Sequence, residues 1–154
     1  MRRSLGVILA VCLPLFWSAP LGAADTPSPT RSAARPRAAA KPLRVVMQVS
    51  DAHPGTWMLA LSNIRNAQKD VGTRNIEVEL VAYGAGLDML RDDSVVANEV
   101  QQAMASGARF VACRNTMEGQ HITEAEMIAG IGYVQAGAIE IVRKQMEGYA
   151  YLRP

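Results

Sequence analysis

The 154-residue chain carries 16 basic and 14 acidic residues and two cysteines, Cys12 and Cys113. Six of the basic residues and one of the acidic ones precede Leu43, so the remainder holds 10 and 13 and is acidic by about three charges. No basic stripe interleaved with aromatics is present, which excludes a nucleic-acid-binding surface, and Leu43–Pro154 is long enough for one domain with its own core.

Arg2 and Arg3 precede an apolar stretch from Leu5 to Trp17 that only Pro14 breaks, and Gly22, Ala23 and Ala24 follow. This is the layout of a secretory signal peptide over residues 1–24, and the apolar run is too short for a spanning helix. Cys12 is expected to leave with it, and the mature protein is expected to be periplasmic or secreted, with no transmembrane segment after cleavage. Residues 25–42 hold four prolines, four basic residues and no large apolar side chain. Such a segment cannot bury enough surface to offset its ordering entropy, so a disordered linker is expected there, ahead of a domain over 43–154.

Leu43–Val49 is a nearly continuous apolar run of strand length, as for a strand covered on both faces. After "SDAHPG", Trp57, Leu61, Ile64, Ala67 and Val71 recur at helical spacing, and Gly72 stops the run. Ile76 to Ala82 gives a second strand. Ser94 is placed to cap a helix carrying Val96, Val100, Ala103 and Met104, closed by Gly107. Phe110-Val111-Ala112 is a third strand that ends at Cys113. Thr123 and Glu126 have capping-box spacing and predict a short helix ended by Gly130. A weaker strand at Ile131–Val134, a helix through Ala138, Ile141, Val142 and Gln145, and a strand at Tyr149–Leu152 complete the chain.

Strands alternating with amphipathic helices predict an α/β fold: a three-layer sandwich whose mainly parallel sheet carries helices on both faces. In such sheets ligands meet the loops at the carboxyl ends of the strands. One rim should therefore gather Asp51 and His53, the loop Tyr83 to Gly86, and Cys113. The thiolate is the reactive form of cysteine, and Arg114, or a helical turn begun at Asn115 or Thr116, could favour it. A small buried residue that only packs remains the alternative.

Several chemistries are excluded. There is no C-x-x-C and hence no dithiol pair, and a phosphate-cradling C-x5-R loop would need arginine where Gly119 stands. G-x-S-x-G, H-E-x-x-H and phosphate-loop motifs are absent. His53 and His121 are the only histidines available as a base or, with Cys113, as metal ligands; their spacing fits no metal pattern, and no metal or cofactor is expected. The methionines are scattered and read as core filling. Tyr149 and Tyr151 fit either core or subunit contact.

The segments "VVMQVSDA", "ALSNIRNAQKDVG", "VELVAYGAGLDML", "FVACRNTM" and "GIGYVQAGAIEIVRKQMEGYAYLRP", in that order, resemble the DsrE/DsrF-like family (YchN-like fold), in particular its exported single-domain members. The most specific pieces are Ala112–Met117 and Gly130–Val134. The resemblance implies a five- or six-stranded parallel sheet and homo-oligomers, often trimers or hexamers. It also implies sulfur-relay chemistry, in which a cysteine at the position of Cys113 accepts sulfane sulfur as a persulfide and passes it to a partner protein. Arg114 and Asn115 would lie beside that persulfide, with Thr116, His53 and Tyr83 as further supporting residues. The relays of the family are cytoplasmic and this chain is expected to be exported, so their donor and acceptor partners do not transfer. A non-catalytic oligomeric scaffold and a thiol redox sensor are the alternative functions.

Overall fold

The computed structural model describes residues 41–154. The expected signal peptide, Cys12 and all of the expected linker except residues 41 and 42 lie outside the described residues. Five strands, β1 (Leu43–Val49), β2 (Ile76–Ala82), β3 (Arg109–Cys113), β4 (Gly132–Val134) and β5 (Ala150–Leu152), form one sheet in the order β4-β3-β2-β1-β5. Every pairing is parallel, and β1 and β2 align over seven residues from Leu43–Ile76 to Val49–Ala82.

The steps from β1 to β4 all run in one direction across the sheet, and the last connection returns to the far side of β1. Right-handed crossovers then put the last helix on the face opposite the earlier ones. Helices α1 (Pro54–Val71) and α2 (Ala97–Ala105) cover one face, where Trp57, Leu61, Ile64 and Val100 meet Met47, Leu80 and Phe110 in the main core. The other face carries α4 (Gly137–Met146), whose Ile141 packs on Val46, Val81 and Val111. Alternate residues of each strand serve alternate faces. This explains the unbroken apolar reading of β1 and the three layers expected from the sequence.

Helix α1 begins where His53 Nδ1 accepts the Gly55 N–H at 3.1 Å and Pro54 presets the first turn. It ends at Gly72, whose φ of 86° suits glycine. Between β2 and α2 the chain forms a 3₁₀ segment, Gly84–Leu90, that packs behind the carboxyl end of β1. Gly86 makes this approach possible: a Cβ there would lie 2.6 Å from the Val49 carbonyl carbon and 2.8 Å from the Ser50 nitrogen.

Three sequence expectations need correction. The helix after Ser94 starts at Ala97 with Val96 as its cap residue; Ser94 sits one turn position earlier, its Oγ accepting the Val96 N–H at 3.5 Å and its carbonyl the Ala97 N–H at 3.0 Å. The capping box of Thr123 and Glu126 forms, but it opens only one 3₁₀ turn, Glu124–Glu126. The following residues pair with the chain at 90–92, where Leu90 O accepts from Ile128 N and Arg91 bridges Met127, so their backbone groups have no use for a helix. Finally, α3 (Arg114–Gln120) is a helix where the sequence suggested only an initial turn. Its one buried residue is Met117, too little for a periodic stripe.

Beneath α4 lies a buried carboxylate. Glu79 is 2% exposed, with Lys144 Nζ at 3.4 Å and Arg109 Nε at 3.5 Å from Oε2, while Oε1 has no partner. Burial pushes the Glu79 pKa up, against the opposing pull of Lys144 and Arg109. Among the described residues no helix is long and apolar enough to cross a membrane.

Candidate functional site

Cys113 ends β3 and immediately precedes α3, so it is the cap residue of that helix with extended backbone, φ −84° and ψ 116°. By strand alternation it shares the parity of Val111 and turns toward the α4 face. It is a free thiol, 5% exposed, yet it belongs to neither apolar cluster. Its neighbours are polar instead. Burial pushes the thiol pKa up, but hydrogen bonds from the Thr116 hydroxyl and from the backbone N–H groups of Gly137, Thr116 and Asn115 outweigh it, and the net shift is downward. In the protonated state the S–H donates to the Gln135 carbonyl, 3.7 Å away.

Each donor is set by the fold. Asn115 and Thr116 open α3, where the first N–H groups lack intrahelical acceptors. The Thr116 oxygen accepts the Gly84 N–H at 3.0 Å, which leaves its hydroxyl proton for the sulfur. The loop after β2 is thereby tied to the cysteine, and Gln120 Nε2 reinforces the tie by donating to Gly84 O at 3.4 Å. Gly137 arrives from the opposite side, at the start of α4. A Cβ at Gly137 would sit 3.1 Å from Tyr83 Cβ and 3.2 Å from Val81 Cγ1, a tight fit that glycine relieves. Tyr83 serves by packing there, in the smaller core cluster.

The remaining sequence candidates are placed differently. The Arg114 guanidinium reaches Glu124 at 2.7 Å and stacks over Tyr133 at 4.9 Å from the ring centre, so its charge is engaged away from the sulfur. Asn115 Oδ1 accepts Gln135 Nε2 at 2.6 Å, and Asn115 N–H also donates to the Gln135 carbonyl at 3.1 Å. His53 caps α1, with its ring bonded to Gly55. His121 stands at the far end of α3 in the left-handed region, φ 57°, about 12 Å along the helix axis from Cys113 at 1.5 Å per residue. Neither histidine makes a hydrogen bond or ion pair with Cys113, and no group of three or more metal-ligating side chains comes together among the described residues. Cavities lie elsewhere, among them one of about 320 Å³ between α1 and α2, one of about 440 Å³ that includes Arg74 and Arg109, and one of about 510 Å³ beside Trp57 and Arg91.

Gln135 and Gly137 were missed in the sequence. The rim rule that gathered the loops after β1, β2 and β3 applies equally to the loop after β4, and carrying it one strand further finds both.

The class is therefore a parallel α/β sandwich with one polar-nested cysteine at the carboxyl rim of its sheet. The sequence model of the DsrE/DsrF-like family matches residues 44–154, and the chain belongs to that family, which is associated in general with sulfur relay. Among solved structures it is similar to the protein of unknown function MTH1491 from Methanobacterium thermoautotrophicum. The two are 35% identical with a TM-score of 0.70, over 73% of this chain and 99% of that one. Two more distant likenesses concern the fold alone. BT1422 from Bacteroides thetaiotaomicron is 16% identical with a TM-score of 0.55, over 72% of this chain and 94% of that one. The ychN protein from E. coli is 12% identical with a TM-score of 0.56, over 74% of this chain and 99% of that one. No curated protein matches the chain.

Proposed function

We propose that the protein is exported and that Cys113 carries sulfane sulfur as a persulfide between a donor and an acceptor thiol. The observation that carries this reading is a lone thiol at the carboxyl end of β3, set between the start of α3 and the Gln135 carbonyl and outside both apolar clusters. In the first step the Cys113 thiolate attacks the outer sulfur of a donor persulfide. A new S–S bond forms at Cys113, the donor's S–S bond breaks, and its electron pair leaves on the donor thiolate. An acceptor thiolate then attacks the outer sulfur and Cys113 departs as a thiolate. No net oxidation occurs in either transfer. Donors that favour the anion assist the second step, because a thiol of lower pKa leaves faster. Once Cys12 leaves with the proposed signal peptide, Cys113 is the single cysteine, and no intramolecular thiol competes for the adduct.

Incubation of the reduced protein with polysulfide should add about 32 Da per sulfur to the Cys113 peptide, the mass of persulfidation. The same treatment of Cys113→Ser should add nothing. A wild-type protein that stays unmodified across polysulfide, thiosulfate and persulfide donors would end the carrier reading. The 5% exposure of Cys113 favours a second reading, a scaffold in which the cysteine only packs. That reading expects Cys113→Ala to leave ligand binding and assembly intact and Cys113 to resist thiol reagents until the chain unfolds.

The proposed working unit is a homo-oligomer, a trimer or hexamer. Ile139, Val142 and Met146 follow one another along the outer side of α4, with Val142 49% and Met146 83% exposed. Tyr151 and Leu152 of β5 are exposed as well. An uncovered apolar stripe of this kind marks an association surface. It lies on α4, which begins two residues after Gln135, whose carbonyl accepts from the Cys113 thiol. Val142→Asp should convert the oligomer to monomer in light scattering at micromolar concentration. A wild-type protein that is already monomeric under those conditions removes the assembly proposal.

A further inference from the structure

The buried sulfur raises the question of what covers it. The groups around Cys113 come from two chain segments only, the start of α3 and the loop between β4 and α4. These segments are joined across the sulfur by Asn115 and Gln135, which exchange two hydrogen bonds. Gln135 Nε2 donates to Asn115 Oδ1 at 2.6 Å, and Asn115 N–H donates to Gln135 O at 3.1 Å. Both residues are exposed, while Cys113 between the segments is 5% exposed. A second link, Arg114 over the Tyr133 ring, holds the same two segments further along and is also near the surface.

The geometry points to the Asn115–Gln135 pair as a gate that closes the β4–α4 loop over Cys113 and controls which sulfur compounds reach it. This inference rests on the carrier reading, since a cysteine that only packs has no need of access. Opening the pair separates the loop from α3. That exposes the sulfur and also withdraws the Gly137 N–H and the Gln135 carbonyl, while the Asn115 and Thr116 N–H groups move with the sulfur. In the open state the thiolate has fewer donors, is more basic and is a stronger nucleophile; in the closed state it is stabilised and shielded. Access and reactivity therefore change together. In an oxidising compartment a shielded thiolate resists sulfenic acid formation and mixed disulfides between encounters with its donor.

The test measures the rate at which Cys113 in the native full chain reacts with a bulky aromatic disulfide of the dithiobis-nitrobenzoate type, read at the Cys113 peptide by mass spectrometry. Asn115→Ala retains its backbone N–H, so only the side-chain half of the clamp is lost, and Gln135→Ala removes the same bond from the other side. Each should react about five- to tenfold faster than wild type, as expected for loss of one exposed hydrogen bond. The double variant should be no faster than either single one, because both remove the same bond. The reaction rate should stay flat in low urea, as for a local opening, although loss of the bond lowers the unfolding midpoint slightly. Unchanged reagent rates would overturn the gate. So would single effects that multiply in the double variant, or a reagent rate that climbs steeply with urea as global unfolding does. Failure of the carrier reading looks different: the variants would respond as described while no sulfur is ever loaded. Loading that proceeds with unchanged variant rates would sink the gate alone.

Discussion

Gly86→Ala is expected to destabilise the protein by about 3 kcal/mol or more, the upper range for forcing a methyl into a packed interior. Its added Cβ would meet backbone atoms of Val49 and Ser50, at 2.6 Å and 2.8 Å, and backbone cannot rotate out of the way as a side chain does. Relief requires moving the 3₁₀ segment Gly84–Leu90 off the end of β1. That segment also contributes Leu87, Met89 and Leu90 to the main core, so the shift loosens packing well beyond the substituted residue. It displaces Gly84 from Thr116 too, and the hydroxyl that favours the Cys113 thiolate loses its orientation. Urea unfolding should show the lowered midpoint, and alkylation of Cys113 against pH should shift to higher pH. A variant with wild-type midpoint and pH profile would mean that the close approach of this segment to β1 is not a feature of the folded chain.

Lys144→Met is the second large effect, about 3 kcal/mol of lost stability at neutral pH, as for other buried pairs stripped of one partner. Lys144 is only 12% exposed on its side chain and stands 3.4 Å from Glu79, itself 2% exposed with one oxygen unpartnered. Without Lys144, Glu79 keeps only Arg109, whose own side chain is 72% exposed and so better solvated. The loss depends on pH. Burial already holds the Glu79 pKa above its ordinary value of 4.5, so the folded chain binds this proton more tightly than the unfolded one. Stability contributed by Glu79 is therefore fully present below the unfolded pKa and declines as pH rises through the folded pKa. Removing Lys144 raises that folded pKa further, so the difference between variant and wild type should widen from acidic to neutral pH. The Glu79→Gln/Lys144→Met double variant should recover most of the loss and show no such widening. A deficit that is flat in pH would show that lost packing, and not the unpaired carboxylate, is responsible.

The central strands were legible because their signals are redundant. Leu43–Val49 and Ile76–Ala82 are apolar on both faces, and α1 combines a helical stripe with a proline at its start and a glycine at its end. The elements that escaped are those whose reason lies elsewhere in the fold. Helix α3 has one buried residue, and what holds it is the end of β3 and the bond from Gly84 to Thr116, which no local pattern encodes. Thr123 and Glu126 formed their capping box as read, yet pairing of the next residues with Leu90 and Arg91 stopped the helix after one turn. The site divides the same way. Alternating strands and helices brought Cys113 to the carboxyl rim and Asn115 and Thr116 beside it. The sign and placement of charge were harder: Arg114 looked like a partner for the sulfur, but Glu124 and Tyr133 hold it, a tertiary matter invisible in "CRNT". Gly137 could be recognised only once Tyr83 was known to stand behind it.

The two outermost strands, β4 and β5, are three residues each, against seven in β1 and β2. Such stubs offer too few free amide groups to template the addition of another ribbon. Growth by edge-to-edge stacking, the usual hazard of an open sheet, is thereby closed to this molecule. The proposed assembly would then form flank to flank through side chains, a geometry that can stop at a fixed number of copies instead of lengthening into a fibre.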